Sequence, residues 1–255
     1  MKSPIVVVGL GELGSVFARG FLRLGFPVQG VTREMDYQVV SEVLPRPQAV
    51  LVAVGEGDIA TALQSVPSKW KDRIILLQNE LLPRDWQNAG IKDPTVVSVW
   101  FEKKKGMDSK VVLPSPIYGK HSRLIFDALA QVDLPSFILD NSEELEYELV
   151  RKNLYILTTN IAGLEVGGDV EALSQQHTAL MNEVASDVLD IQDYLTGSKC
   201  DRERLMEGLH EAIHGDLKHG CMGRSAPARL TRALSFADQA GLEVKTLRRI
   251  AEAHL

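Results

Sequence analysis

Few folds accept an apolar β-branched run that passes straight into glycines spaced G-x-G-x-x-G. This chain has that arrangement at Ile5-Val6-Val7-Val8-Gly9-Leu10-Gly11-Glu12-Leu13-Gly14. An apolar-periodic segment with Val16, Phe17, Phe21 and Leu22 carries on to Gly25, and a second strand-like run covers Val28 to Thr32. Strand, turn, helix and strand are the context in which this spacing binds a dinucleotide. Gly9 permits the tight turn, Gly11 lets the backbone approach a pyrophosphate, and Gly14 lets helix and strand pack closely. The first helical turn, at Glu12 and Leu13, offers its N–H groups and the positive end of the helix dipole to the phosphates. Taken alone, the spacing also describes a glycine-rich turn that binds nothing; the two flanking strands argue for a Rossmann unit.

The end of the second strand selects the cofactor. An Asp or Glu there accepts hydrogen bonds from the ribose 2′-hydroxyl of NAD. Here the strand ends Val31-Thr32-Arg33, with a hydroxyl and a guanidinium in place of the carboxylate. A planar guanidinium suits a 2′-phosphate and stacks on adenine, so NADP is expected over NAD. Glu34 and Asp36 follow at once, and a one-residue shift of the strand end returns an acid to that position.

Composition narrows the remaining classes. The chain has 255 residues, 45% of them hydrophobic, with a net charge of −6 and a pI near 5.6. That is an ordinary globular composition, and it provides no basic field for nucleic acid. The basic run Lys103-Lys104-Lys105 reads as a solvated loop. Two cysteines, Cys200 and Cys221, suggest a reducing compartment without disulfides. Lys2 and the apolar run after it mimic a signal peptide, but Glu12 and Arg19 interrupt it and the first strand uses it. No segment approaches the ~18 apolar residues of a membrane span. The expected setting is cytoplasmic, with a small-molecule substrate, no membrane or nucleic-acid partner, and a homodimer as an admissible assembly.

Strand and helix patterns alternate through the first part of the chain. A short helix around Val39 to Leu44 precedes a buried-strand run from Gln48 to Val54, which ends in the turn Gly55-Glu56-Gly57. Asp58 to Val66 reads as a helix and Arg73 to Leu77 as a fourth strand, which leads to Gln78-Asn79-Glu80. Asn79 is thereby placed at the carboxyl edge of a parallel sheet, where ligands bind in open α/β sheets. Shorter strands are expected at Thr95 to Trp100 and Lys110 to Leu113. A helix from His121 to Gln131 and a last strand from Ser136 to Asp140 follow. This alternation predicts an α/β, doubly wound sheet.

The period changes at Asn141, which with Glu144 makes a capping-box-like start. Helices are expected from Ser142 to Gly163, Val170 to Leu195, Arg202 to Lys218 and Pro227 to Ala240, with a short one from Thr246. The division is therefore a Rossmann domain over 1–141 and an all-helical substrate and catalytic domain over 142–255, with the substrate cleft between them. In the first of these helices Lys152, Tyr155, Ile156 and Thr159 share one stripe by spacing, and Asn160 falls at its margin. A lysine there can protonate the oxygen of a carbonyl that receives hydride, although spacing alone favours a water-facing residue of an amphipathic helix.

On these residues the chain resembles the ketopantoate reductases of the 6-phosphogluconate dehydrogenase-like superfamily, loosely but over nearly its whole length. The carrying residues are Gly9, Gly11, Gly14 and Arg33, then Gln78-Asn79, and then Lys152, Ile156 and Asn160 against the family pattern K-x-x-x-N-x-x-x-N. The stretches Arg229 to Leu234 and Ala240 to Leu242 look like the family's final helices. The resemblance implies that Lys152 is the general acid, that Asn160 helps to orient the substrate, and that the nicotinamide lies near Asn79. There are departures. Glu80 replaces a glycine, Gly55 stands where the family has a lysine, Ile156 replaces an asparagine, and the acidic residue before the penultimate helix has no counterpart in Gly223-Arg224-Ser225-Ala226-Pro227. Loss of polar partners of this kind costs orders of magnitude in discrimination, so a substrate other than ketopantoate is expected. Tyr155, Ile156 and Thr159 suggest a less polar ligand on that side, and Arg224 either holds a carboxylate or caps a loop.

The resulting reading is an NADP-dependent reductase of a small carbonyl or imine compound. One alternative is a non-catalytic dinucleotide-binding sensor or scaffold. Another is a zinc hydrolase built on His210-Glu211-Ala212-Ile213-His214, a match to H-E-x-x-H. No third ligand is evident for such a metal, because His219 would point away, and His210 reads as partly buried beside Met206, Ile213 and Leu217. No metal is expected.

Overall fold

The computed structural model describes residues 2–77 and 79–255; Gln78 of the Gln78-Asn79 pair lies outside them. The chain divides into two compact units, Met1–Leu149 and Val150–Leu255.

The first unit is a seven-stranded sheet. Its opening elements are β1 (Ile5–Val8), α1 (Glu12–Arg23), β2 (Val28–Val31), α2 (Tyr37–Val43), β3 (Ala49–Val52) and α3 (Ile59–Gln64). A 3₁₀ turn over Ser68–Arg73 leads to β4 (Ile74–Leu76), α4 (Pro83–Asn88) and β5 (Thr95–Val97). A hairpin of β6 (Phe101–Glu102) and β7 (Lys110–Val111) forms a separate two-stranded sheet. The unit continues with β8 (Ser115–Tyr118), α5 (Ser122–Ala130) and β9 (Ser136–Ile138). Strand order is β2-β1-β3-β4-β5-β8-β9.

From β2 to β5 every pairing is parallel. β1, β3 and β4 are buried on both faces, which explains their unbroken Val, Ile and Leu runs. The doubly wound expectation holds there and changes at β5–β8, which pair antiparallel. Phe17 and Phe21 of α1 pack on the sheet with Ile125 and Leu129 of α5. Gly20 lets α1 approach α5 closely, because a Cβ on it would lie 2.3 Å from the Ala128 carbonyl oxygen. α4 has a readable start that the hydrophobic pattern did not reveal: Pro83 opens it and Asp85 accepts from the Leu82 N–H at 2.8 Å.

The second unit is helical. The elements are α6 (Ser142–Val166), whose early turns belong to the first unit, α7 (Val170–Gln176), α8 (Thr178–Thr196), α9 (Arg202–Gly215), α10 (Ala226–Ala240) and α11 (Lys245–His254). Asn141 caps α6, its Oδ1 accepting from the Glu144 N–H at 2.9 Å. The end expected at Gly163 is passed. That glycine is a contact rather than a stop, since a Cβ there would lie 2.8 Å from Cys221 Cβ. The single helix expected from Val170 to Leu195 is broken at His177, whose backbone (φ −126°, ψ 32°) leaves the helical region. The helix expected to reach Lys218 ends at Gly215, and the Leu217 and His219 carbonyls accept from the Glu171 and Val170 N–H groups instead. No helix among the described residues is long and apolar enough to cross a membrane.

Candidate functional site

The carboxyl edge of the parallel strands carries the residues singled out in the first unit. Gly9 adopts φ +88° and sits where a Cβ would come within 2.7 Å of the Ala53 carbonyl oxygen. A Cβ on Gly14 would lie 2.0 Å from the Gly9 carbonyl oxygen. The segment after β3 leaves no room for a side chain at Gly9, and the turn itself leaves none at Gly14. Gly11 is the opposite case, with nothing within 4 Å of its Cβ position. It is also the N-cap of α1 and provides no side-chain cap, so the first-turn N–H groups at Glu12, Leu13 and Gly14 have no acceptor from a capping residue. The residues present therefore fit a pyrophosphate: two glycines seal the turn and the third leaves space in front of a helix start.

Thr32 and Arg33 follow β2 as expected, and each is engaged by a carboxylate. Thr32 Oγ1 donates to Glu34 Oε2 at 2.8 Å. This hydrogen bond first, then one from the Glu34 backbone N–H and the charge of Arg33, holds the Glu34 carboxyl below its usual range against the opposing effect of burial. Arg33 Nη2 donates to Asp58 Oδ2 at 2.9 Å, with both side chains largely exposed. Asp58 begins α3, yet its side chain makes no cap to that helix. Burial first, and the charge of Asp58 second, raise the Tyr37 hydroxyl above its ordinary value. Asn79 is half-buried past β4, and its Nδ2 donates to Glu56 Oε1 at 2.9 Å. Glu80, a glycine in the resembling family's pattern, takes φ +63°, a left-handed conformation uncommon for a residue with a side chain.

The basic run divides. Lys104 and Lys105 are exposed, as expected of a solvated loop, whereas Lys103 is tucked in. Its ammonium lies 3.8 Å from Glu12 Oε2 and donates to the carbonyls of Lys104 and Met107.

In the helical unit α6 gathers the second group. Tyr155, Ile156, Thr159 and Asn160 are buried and Lys152 is half-buried. The Tyr155 hydroxyl meets His219 Nδ1 at 2.7 Å, and the two rings stack at 6.0 Å. Thr159 Oγ1 donates to the Tyr155 carbonyl at 2.8 Å. Asn160 Nδ2 donates to the Cys221 carbonyl at 3.0 Å, while its Oδ1 accepts from Arg229 at 2.8 Å. Arg224 is exposed, in the turn where the Ala226 N–H donates to the Gly223 carbonyl.

His210, read from the sequence as partly buried, is exposed. Glu207, His210, Glu211 and His214 form the solvent face of α9, opposite buried Leu205, Leu209, Ala212 and Ile213. Glu211 is paired to Arg151 at 2.9 Å and His214 Nδ1 contacts the His210 carbonyl. Among the described residues no group of three His, Cys, Asp or Glu side chains is arranged to hold a metal ion.

Sequence reasoning missed Asp58, Glu56, His219 and Arg229 as partners of the expected residues. Asp58 was read only as the first residue of a helix, and all four pair across sequence separations that no local pattern marks.

The chain thus combines a Rossmann unit, with a glycine turn open at Gly11, and a helical unit. No family model matches the chain, and no curated protein matches it. Solved structures do. A PanE/ApbA family ketopantoate reductase from Ralstonia eutropha JMP134 is 14% identical, with a TM-score of 0.69 over 98% of this chain and 96% of that one. A dimeric ketopantoate reductase from Staphylococcus aureus is 14% identical, with a TM-score of 0.64 over 98% and 96%. D-mandelate dehydrogenase in complex with NADH is 13% identical, with a TM-score of 0.68 over 100% and 97%. The chain shares their fold.

Proposed function

We propose that the chain is a nicotinamide-dinucleotide-dependent oxidoreductase that reduces a small carbonyl or imine compound, with NADP preferred to NAD. The glycine turn carries this reading, because it is sealed at Gly9 and Gly14, open at Gly11, and stands before an uncapped helix. In this reading Gly9, Gly11, Glu12, Leu13 and Gly14 hold the pyrophosphate, Thr32 and Arg33 the adenosine ribose, and Asn79 the nicotinamide end. The bound cofactor supplies hydride.

The chain supplies binding, orientation and a proton. Lys152 is the acid, giving its Nζ proton to the oxygen or nitrogen that becomes the product's hydroxyl or amine. Tyr155, Ile156 and Thr159 contact the substrate, Asn160 orients it, and Arg224 receives a carboxylate. Similarity to ketopantoate reductases and a mandelate dehydrogenase supports chemistry at a CH–OH/C=O group. Gly55 and Ile156, in place of the family's polar groups, favour a substrate other than ketopantoate. The Staphylococcus aureus structure is described as dimeric, and a homodimer is proposed here too.

A second reading, a dinucleotide-binding sensor without turnover, draws on one observation. The Asn160 amide is engaged at both ends, by Cys221 and Arg229. NADPH oxidation with a panel of 2-oxo acids and imines separates the two. Turnover with at least one member is expected; tight NADPH binding without turnover by any of them selects the sensor, and absence of binding overturns both.

A further inference from the structure

The ion pair of Arg33 with Asp58 has an unusual position. In the order β2-β1-β3, β1 is central. Arg33 follows β2, and Asp58 follows β3 as the N-cap of α3. The pair thus joins the segments after both neighbours of the strand that feeds the glycine turn. An Asp at an N-cap ordinarily accepts an N–H of its own helix. Asp58 makes no such bond and is turned to the guanidinium instead.

We infer that Asp58 is a specificity-determining residue, a resident anion that competes with the 2′-phosphate for Arg33 and so narrows the preference for NADP over NAD. This rests on the reading above, in which Arg33 receives that phosphate. The argument is electrostatic. A phosphate monoester that approaches Arg33 brings about −1.5 to −2 charges to a guanidinium whose Nη2 already has a carboxylate oxygen at 2.9 Å. To bind it, the phosphate must share or displace Asp58 and bear its repulsion, whereas a 2′-hydroxyl does neither. Glu34 reinforces the arrangement by occupying the Thr32 hydroxyl, so the segment after β2 has both its hydroxyl and its guanidinium engaged by carboxylates.

The test is fluorescence or calorimetric titration with NADP and NAD, read as the ratio of their dissociation constants, in wild type, Arg33→Ala, Asp58→Asn and the double variant. Exposed ion pairs couple by up to about fivefold in an equilibrium constant, and a phosphate carries nearly twice a carboxylate's charge. Asp58→Asn is therefore expected to shift the ratio roughly five- to tenfold toward NADP, with the shift shrinking at high salt and in the Arg33→Ala background. An unchanged ratio, or one moved toward NAD, overturns the inference if Arg33→Ala alone lowers NADP preference. If Arg33→Ala leaves the ratio unmoved, the assignment of Arg33 to the phosphate fails, and the inference fails with it. Asn retains the capping chemistry at this helix start, and a thermal melt checks that the variant is folded.

Discussion

At the scale of single residues the glycine turn makes opposite predictions for neighbouring positions. Gly14→Ala forces a Cβ onto the Gly9 carbonyl oxygen, and overpacking against rigid backbone should cost at least about 3 kcal/mol. Gly11→Ala meets open space at φ −69°, a backbone that alanine accepts, so its cost should stay within about 1 kcal/mol. Urea denaturation of both variants checks the contrast, and equal losses would refute it. Lys152 calls for a kinetic test. With a substrate in hand, Lys152→Ala should lower kcat by about 10²- to 10⁴-fold while NADPH binding stays within a few-fold. Lys152→Arg should not restore activity, since a guanidinium keeps its proton near neutral pH. Near wild-type turnover in the alanine variant would reduce Lys152 to a surface lysine and make Tyr155 the next candidate. The glycine turn was legible because its spacing is local, and periodicity placed Lys152 on its helix without giving it a role. Asp58 was not legible, because which anion meets Arg33 depends on strands β2 and β3 flanking β1, a fact of topology.

Among the elements, the segment between α8 and α9 turns on one carboxylate. Asp193 is buried, and burial alone would push its carboxyl up. The Cys200 N–H, Lys199 and Arg202 outweigh burial and hold it at about 2. A depressed carboxyl contributes stability that is present above the unfolded-state value of 3.8 and is lost as pH falls through about 2. The contribution should be roughly 2 kcal/mol. Asp193→Asn should remove this pH dependence, as followed by thermal melts between pH 5 and 2; an unchanged slope would contradict it.

His121, buried at the start of α5, also loses stability on acidification, but because burial disfavours its charged form. Its Nε2 has no hydrogen-bond partner among the described residues. Burial first, then the charges of Lys120 and Arg73, lower its imidazole below the ordinary value of 6.5, against a smaller opposing effect of Asp72. The unfolded chain binds that proton more readily, so stability should fall as pH drops through 6.5. His121→Gln should flatten melts in that range, and an equally steep variant would contradict the assignment. From α5 onward the helical stretches were readable, but helix ends were not. Gly163 reads as a stop until Cys221 is seen packed against it, and the break at His177 has no glycine or proline to announce it.

For the whole molecule, the order of patterns along the sequence was enough to expect a Rossmann unit followed by a helical unit. The antiparallel step between β5 and β8 was not, because strand direction is set by which edge a strand joins and not by its own residues. Fold alone does not fix function, and the central claim is that the open glycine turn binds a nicotinamide dinucleotide. Calorimetric titration of wild type and Gly11→Ala with NADPH tests this most directly. We predict one dinucleotide bound per chain by the wild type, and binding at least about tenfold weaker in a Gly11→Ala protein of near wild-type stability, because a methyl then occupies the pyrophosphate's approach. No heat of binding in the wild type, or equal affinity in the two proteins, would contradict it.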